Sequence, residues 1–234
     1  VNDDQLWLYS VCQKNGIIIT DVQLQQLWKY QHLLREWNAK INLISRKDEE
    51  NLWRNHIFQS LAFAFVTEFP AKMKILDLGT GGGLPGIPLA IFYPDCSFVL
   101  MDSIQKKIVA VEAMKTDLGL TNVTAISGRA EEINKKEQLR RSFDVVVARA
   151  VSELANLIEW GFPFLKEKKT PIKLEQRTKL TTPCLVTLKG GELEEEIQKT
   201  KRKYHKATLL TKQVVFPGSE HLTNQDKKLL IVTP

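Results

Sequence analysis

The segment Ile75-Leu76-Asp77-Leu78-Gly79-Thr80-Gly81-Gly82-Gly83-Leu84-Pro85-Gly86 runs from an apolar stretch into a glycine-dense turn. Glycine permits positive φ and lets backbone approach a ligand with no Cβ in between. Pro85 is tolerated where a helix begins. Strand, glycine turn and helix in that order line the crevice where open α/β sheets bind ligands. Two cofactor classes compete for this loop. Gly81-x-Gly83-x-x-Gly86 matches the dinucleotide fingerprint, and Asp102 lies 21 residues after Gly81, near the ~20 of that pattern. Asp77, however, sits inside the strand just before the first glycine, where a carboxylate would oppose a pyrophosphate held on helix amides. S-adenosylmethionine has no phosphate and carries a cationic ammonium and sulfonium, so Asp77 suits it, directly or through water. Asp102, ending the second strand, suits ribose hydroxyls in either case. The balance favours a methyltransferase, with Asp77, Gly81 and Asp102 at the cofactor, over a nicotinamide-dependent oxidoreductase.

These residues need a sheet to position them. From Lys74 onward short apolar strands alternate with helices, the pattern of a parallel α/β sheet. Strands are predicted at 74–78, 97–101, 123–126, 143–148 and 184–188, with helices near 85–92, 105–118, 130–137, 151–165 and 192–203. Gly119 fits the position after a helix C-terminus. The chain ends differently, with two successive strands at 207–215 and 228–232 joined through Pro217-Gly218. A mostly parallel, Rossmann-like sheet of seven strands finished by an antiparallel hairpin is the plan of the class I S-adenosylmethionine-dependent methyltransferases. Residues 1–70 read instead as a helical lobe before the 71–234 domain. There Thr20-x-x-Gln23 has the form of a capping box, and Leu24, Leu27, Trp28, Leu34 and Trp37 recur near helical spacing. A second helix should start after Asp48 and run to about Val66, and 38–46 forms an ordered connection. Trp28, Trp37 and Trp53 could stack on bases, but at helical spacing at least two of the three should be core. Segment 166–182 reads as a long polar loop.

Several separated motifs resemble one family. They are Glu36-Trp37-Asn38-Ala39-Lys40-Ile41-Asn42-Leu43, His56-x-x-x-Ser60-Leu61, the Asp77 to Pro88 loop, and Asp102-Ser103-x-x-Lys106-Lys107. Arg129-Ala130-Glu131-Glu132, Phe143-Asp144-x-Val146-x-Ala148-Arg149-Ala150 and Leu188-Lys189-Gly190 complete the set. In this order the chain resembles the bacterial small-subunit rRNA guanine-N7 methyltransferases, the RsmG family, also called glucose-inhibited division protein B. The resemblance implies methyl transfer from S-adenosylmethionine to N7 of a guanine in 16S rRNA. It also implies cofactor contacts at Gly79, Leu84, Ala130, Glu131 and Arg149. Sequence alone favours reading Ala130-Glu131 as a helix start with acids at its positive end, whereas Arg149, at a strand end facing the crevice, reads as functional ahead of the alternative of a surface salt bridge.

Guanine N7 has an in-plane lone pair and no proton to lose, so the reaction needs no general base. What it needs is alignment of N7 with the methyl group. A guanidinium commonly grips guanine through O6 and N7 together. Here N7 must stay free, so Arg149 is expected to position O6, a phosphate or the cofactor carboxylate. Cys184 opens a strand and reads as a small core residue. The four histidines suggest no metal site or triad, and His56 should pack or hydrogen-bond within its helix. The net charge is +6, and residues 71–234 hold 26 bases against 19 acids, which suits a polyanionic partner. Lys106, Lys107, Lys189 and the 166–179 loop are the candidate RNA contacts, Lys189 the foremost because it borders the crevice. Glu192 to Glu196 followed by Lys199 to Lys203 reads as acids and bases offsetting a helix dipole.

The partner expected is 16S rRNA or the small subunit, with no metal, no membrane and one copy of the chain. No apolar run approaches the ~20 residues of a membrane helix. Val1-Asn2-Asp3-Asp4 has neither the basic nor the apolar region of a signal peptide. Three scattered cysteines form neither a disulfide framework nor a zinc pattern, so a cytoplasmic location is expected. A small-molecule or protein methyltransferase, and a protein that binds the cofactor without turnover, stay open on the residues alone.

Overall fold

The computed structural model describes residues 2–149, 151–167, 170–171 and 180–234. Its central strands are near-continuous apolar runs, the composition of strands covered on both faces. β1 (Lys74–Leu78), β2 (Ser97–Asp102), β3 (Val123–Ser127), β4 (Val145–Arg149) and β5 (Cys184–Gly190) are followed by β6 (Thr208–Gln213) and β7 (Lys227–Thr233). They form one seven-stranded sheet in the order β3-β2-β1-β4-β5-β7-β6. Pairings from β3 to β5 are parallel, whereas β7 lies antiparallel between β5 and β6. The antiparallel ending is therefore as expected. Chain order reverses between β1 and β4, the switch point at whose carboxyl edge a crevice opens.

Alternate side chains on a strand point to opposite faces, and the core divides accordingly. Ile75, Phe98, Leu100, Val145, Val147, Cys184 and Val186 share one apolar cluster with the N-terminal helices, α1 (Asp3–Lys14), α2 (Asp21–Asn38) and α3 (Gln59–Val66). The same cluster takes in α4 (Gly86–Phe92) and α5 (Gln105–Asp117). Leu76, Leu78, Val99, Met101, Val146 and Ala148 face the other way, against α6 (Ala130–Ile133), α7 (Leu154–Gly161) and α8 (Glu194–Lys203). The helices of residues 1–70 thus pack on one side of the sheet.

Local signals place most elements well. Thr20 and Gln23 form the capping box that starts α2, and Gly119 follows α5 at φ +67°. Trp53 is buried in the core, with Trp28 and Trp37 packed against it. Other expectations change. α6 stops at Ile133 rather than running to 137, because after Ala130 and Ile133 no apolar residue continues its buried face. The 151–165 helix starts only at Leu154 and gives way at Phe162–Phe164 to a 3-10 turn around Pro163, whose missing N–H cannot extend an α-helix. Trp53–Phe58 winds as a π-helix before α3. A short α9 (Glu220–Thr223) sits between β6 and β7. Of the 166–182 stretch, Thr170–Pro171 pairs antiparallel with Thr181–Thr182, and most of the expected loop between them lies outside the described residues. No described helix is long and apolar enough to cross a membrane.

Candidate cofactor and acceptor site

The glycine loop leaves β1 at Gly79, whose N–H and that of Thr80 donate to the Met101 carbonyl of β2 at 2.8 and 2.9 Å. Gly79 and Gly81 hold φ at +73° and +57°, a region that disfavours other residues. A Cβ on Gly79 would also lie 2.8 Å from both Val151 methyls. Beneath the loop, Asp77 is fully buried, and its Oδ2 accepts Thr80 Oγ1 at 2.6 Å and Gly86 N–H at 2.8 Å. One carboxylate thus ties the start of the turn to the start of α4. The pocket contact expected of Asp77 is not made, because β1 aims its side chain under the turn and it lines neither pocket described below. Burial lifts its pKa to about 7 against the opposing Thr80 and Gly86 hydrogen bonds, and Oδ1 has no hydrogen-bond partner among the described residues. Asp102 does face the crevice. Its Oδ2 accepts Gly81 N–H and its Oδ1 accepts Ile104 N–H, both at 2.9 Å.

Two pockets meet at these strand ends. One, of about 270 Å³, is walled by Leu78, Met101, Ala130 and Trp160, with Asp102, Arg129 and Glu131 also lining it. The other, of about 420 Å³, is lined by Gly79 to Gly82, Leu84, Lys107, His56 and Arg149, under Leu43 and Ile44. Gly79, Asp102, Ser103 and Val151 belong to both, so the pockets form one crevice along the ends of β1 to β4. Gly79, Gly81, Leu84, Asp102, Ala130, Glu131 and Arg149 all reach it.

The N-terminal segment supplies the roof. Tyr30 Oη donates to the Gly82 carbonyl at 2.8 Å, and burial raises its pKa well above the usual tyrosine value. A Cβ on Gly82 would lie 2.7 Å from Leu34 Cδ1, so α2 sits directly on the glycine turn. Asn38, buried at the end of α2, accepts the N–H groups of Leu43 and Ile44 at 2.8 and 2.9 Å. That side chain shapes the 38–46 connection over the pocket.

Arg149 ends β4 and is held by the π-helical turn. Its Nη2 meets His56 Nδ1 at 3.0 Å and its Nη1 donates to Gln59 Oε1 at 3.1 Å. Longer contacts from Nη1 reach the carbonyls of Asn55 and His56 at 3.3 and 3.4 Å. Burial lowers the Arg149 pKa to about 10, still charged at neutral pH. Burial first and then Arg149 push His56 down to about 4, so the imidazole is neutral. The expectation that His56 packs or hydrogen-bonds within its helix is met by its backbone and not by its ring. Its carbonyl does accept Ser60 Oγ at 2.7 Å, but the ring reaches across to β4. The His56-x-x-x-Ser60 spacing was the available signal; the partner on another element was not.

The basic residues separate. Lys107 lines the larger pocket. Lys106 is exposed beside an adjoining polar trough of about 470 Å³ that includes Arg35, Lys40, Asn42 and Glu49. Lys189, by contrast, is tied to Glu196 at 2.7 Å and to the Ser152 carbonyl at 2.9 Å. It lines neither pocket of the crevice and instead links β5 to α8. Cys184 is buried, with its thiol pushed up to about 12. Among the described residues no three His, Cys, Asp or Glu side chains form a metal-binding group.

Comparison with known proteins agrees with this geometry. The family profile GidB, described as rRNA small subunit methyltransferase G, matches residues 23–224. The chain is 42% identical to a "Ribosomal RNA small subunit methyltransferase G" of Chlorobium limicola, over 82% of this chain and 78% of that one. The protein of the same description from Bacteroides thetaiotaomicron is 45% identical, over 79% and 83%. Among solved structures, M. jannaschii TYW2 in complex with AdoMet superposes with a TM-score of 0.51 at 16% identity, covering 83% of this chain and 77% of that one. That likeness concerns the fold.

Proposed function

Because this chain belongs to the rRNA small subunit methyltransferase G family, we propose that its crevice aligns N7 of a 16S rRNA guanine with the methyl group of S-adenosylmethionine. The enzyme is an S-adenosylmethionine-dependent methyltransferase of small-subunit rRNA. The observation that carries the assignment of the crevice is how its loop amides are used. Gly81 N–H is taken by Asp102, and Gly86 N–H, at the start of α4, by Asp77. A dinucleotide needs such amides for its pyrophosphate; here the protein's own acidic side chains occupy them. That suits a cofactor with cationic groups and no phosphate, and it argues against an oxidoreductase.

S-adenosylmethionine, when bound, supplies an electrophilic methyl on a sulfonium. Leu78, Met101, Ala130 and Trp160 provide the apolar slot for its ring system, with Glu131 and Asp102 as polar groups at the edge. The neighbouring pocket receives the base, and Arg149 positions its O6, a phosphate or the cofactor carboxylate, leaving N7 unencumbered. No base is required, and neither buried group nearby is placed to act as one. Asp77 is sealed under the loop and His56 is engaged by Arg149. Rate acceleration then comes from alignment. Residues 1–70 act as the roof on the acceptor side and 71–234 as the methyltransferase unit. Lys107 at the pocket and Lys106 with Arg35 and Lys40 in the trough carry the flanking RNA phosphates. In this reading the chain works as a monomer in the cytoplasm.

The test is transfer of labelled methyl to rRNA and small subunits from cells lacking the enzyme, with the modified base mapped. Label on one small-subunit guanine that sensitises the chain to N7-specific cleavage is the expected result. Label elsewhere, or none despite cofactor binding, would refute the N7 assignment.

A further inference from the structure

A guanidinium drawn partly out of solvent normally has a carboxylate partner, because desolvating an uncompensated charge is costly. Arg149, half-buried at the end of β4, forms no salt bridge with an Asp or Glu among the described residues, and the charges of Asp77 and Asp48 reach it only through space. Its acceptors among those residues are all neutral, namely two carbonyls, the Gln59 amide oxygen and an imidazole nitrogen. Neutral acceptors fix the fork in place without cancelling its charge. They engage Nη1 and part of Nη2, and no described residue accepts from Nε. The Nε–Nη2 edge presents the parallel N–H pair that meets an oxyanion in two-point fashion.

His56 is the member of this set whose chemical state matters. To accept from Arg149, Nδ1 must be bare, which places the proton of a neutral ring on Nε2. Nε2 lies 3.7 Å from Asp48 Oδ2, so the acid biases the tautomer from beyond hydrogen-bond range. Asp48 is itself engaged through Oδ1 by Asn55 Nδ2 at 3.1 Å. The π-helical winding contributes as well. A turn widened by one residue, a departure that recurs at functional sites, brings the carbonyls of Asn55 and His56 towards the same guanidinium.

We propose that His56 is a positioning residue whose neutral Nδ1 locks the Arg149 guanidinium and leaves its Nε–Nη2 edge for an oxyanion in the crevice. That oxyanion is either a backbone phosphate of the RNA or the carboxylate of the cofactor's amino-acid end. The inference rests on the crevice being the rRNA methyltransferase site. It adds a residue that does not contact the reacting atoms and acts through Arg149.

The experiment is a double-mutant cycle in the full chain, using His56→Phe, which keeps a ring but no acceptor, and Arg149→Ala. Methyl-transfer kcat and KM on rRNA are measured alongside equilibrium affinity for S-adenosylmethionine without RNA. His56→Phe should lower kcat/KM about tenfold or more, the size of a hydrogen bond to a charged group. In the Arg149→Ala background it should cost less than about twofold, because the pair acts as a unit. His56→Asn, which offers an amide oxygen near the place of Nδ1, should recover to within about threefold of wild type, showing that the loss is not misfolding. A deficit already present in cofactor affinity identifies the carboxylate as the oxyanion; unchanged cofactor affinity with a deficit on rRNA identifies the phosphate. Equal losses in both backgrounds, or a His56→Asn variant as impaired as His56→Phe, would overturn the proposal. Wild type that binds cofactor but methylates no rRNA would remove the substrate reading, while the same cycle on cofactor affinity would still judge His56.

Discussion

The two halves of the crevice are built by different means. The half at β1, β2 and β3 is mostly backbone. Its glycines turn where only glycine is comfortable, and Asp77 and Asp102 hold the loop through N–H groups. The half at β4 is mostly side chain. Arg149 and the His56–Gln59 turn that holds it come from separate parts of the chain and meet only through tertiary packing. The first arrangement suits a cofactor that is the same in every turnover, since fixed amides and carboxylates need no adjustment. The second suits a large substrate, whose place can be set by exchanging side chains without disturbing the loop.

The largest test bears on Asp77, which underpins the backbone-built half. In the folded protein it holds its proton up to about pH 7, against an ordinary 3.8. The folded state therefore binds that proton more tightly than the unfolded chain. The stability it confers is fully present below pH 3.8 and is lost as pH rises through about 7. Across that window wild type should lose on the order of 4 kcal/mol relative to Asp77→Asn, read from urea unfolding at several pH values. Parallel pH profiles would show that Asp77 is not the buried acid described.

Arg149→Ala probes the other half. Loss of a half-buried, hydrogen-bonded charge should reduce kcat/KM on rRNA about a hundredfold. If the whole loss lay in S-adenosylmethionine affinity, the division between the halves would move to place Arg149 with the cofactor. Gly86→Ala should be smaller and fall on the backbone-built half. The new Cβ would sit 2.6 Å from Asp77 Oδ2 and 2.7 Å from Leu100 Cγ, an overpacking worth about 2 kcal/mol, visible as a lowered melting temperature. An unchanged melting temperature would mean that the loop yields more easily than its hydrogen bonds imply. The smallest effects separate the lysines. Lys106→Ala should reduce the salt slope of RNA binding by about one. Lys189→Ala should leave that slope alone and cost about 1 kcal/mol of stability or less. Reversed results would restore Lys189 to the RNA face.

The same division separates what is legible in the sequence from what is not. Strand positions, the glycine loop and the crevice residue Asp102 rest on local signals such as short apolar runs and turn chemistry, whereas Ala130 and Glu131 are reached only through the family resemblance. Where local signals compete, sequence and structure part. A helix to residue 137 is plausible on propensity because Asn134 to Glu137 are acceptable in one, although nothing there can be buried. The π-helical turn has no sequence signature, since its widening is stabilised by contacts with β4. Lys189 looks available from its spacing after the strand end, while its partner Glu196 lies on α8.

Sequence by itself determined the class of sheet, the loop that bends around a cofactor and the strand ends that line its pocket. These follow from periodicity and from glycine's freedom at positive φ, which act within a few residues. Only the tertiary structure decided which way the key charges face. Asp77 lies on the strand face shared with Ile75, so it turns beneath the loop and lines neither pocket. Arg149 finds His56 across 93 residues of chain, and Tyr30 finds Gly82 across 52. No local pattern encodes those meetings, because they form when helices from residues 1–70 bury their apolar faces against the sheet and bring polar groups along with them.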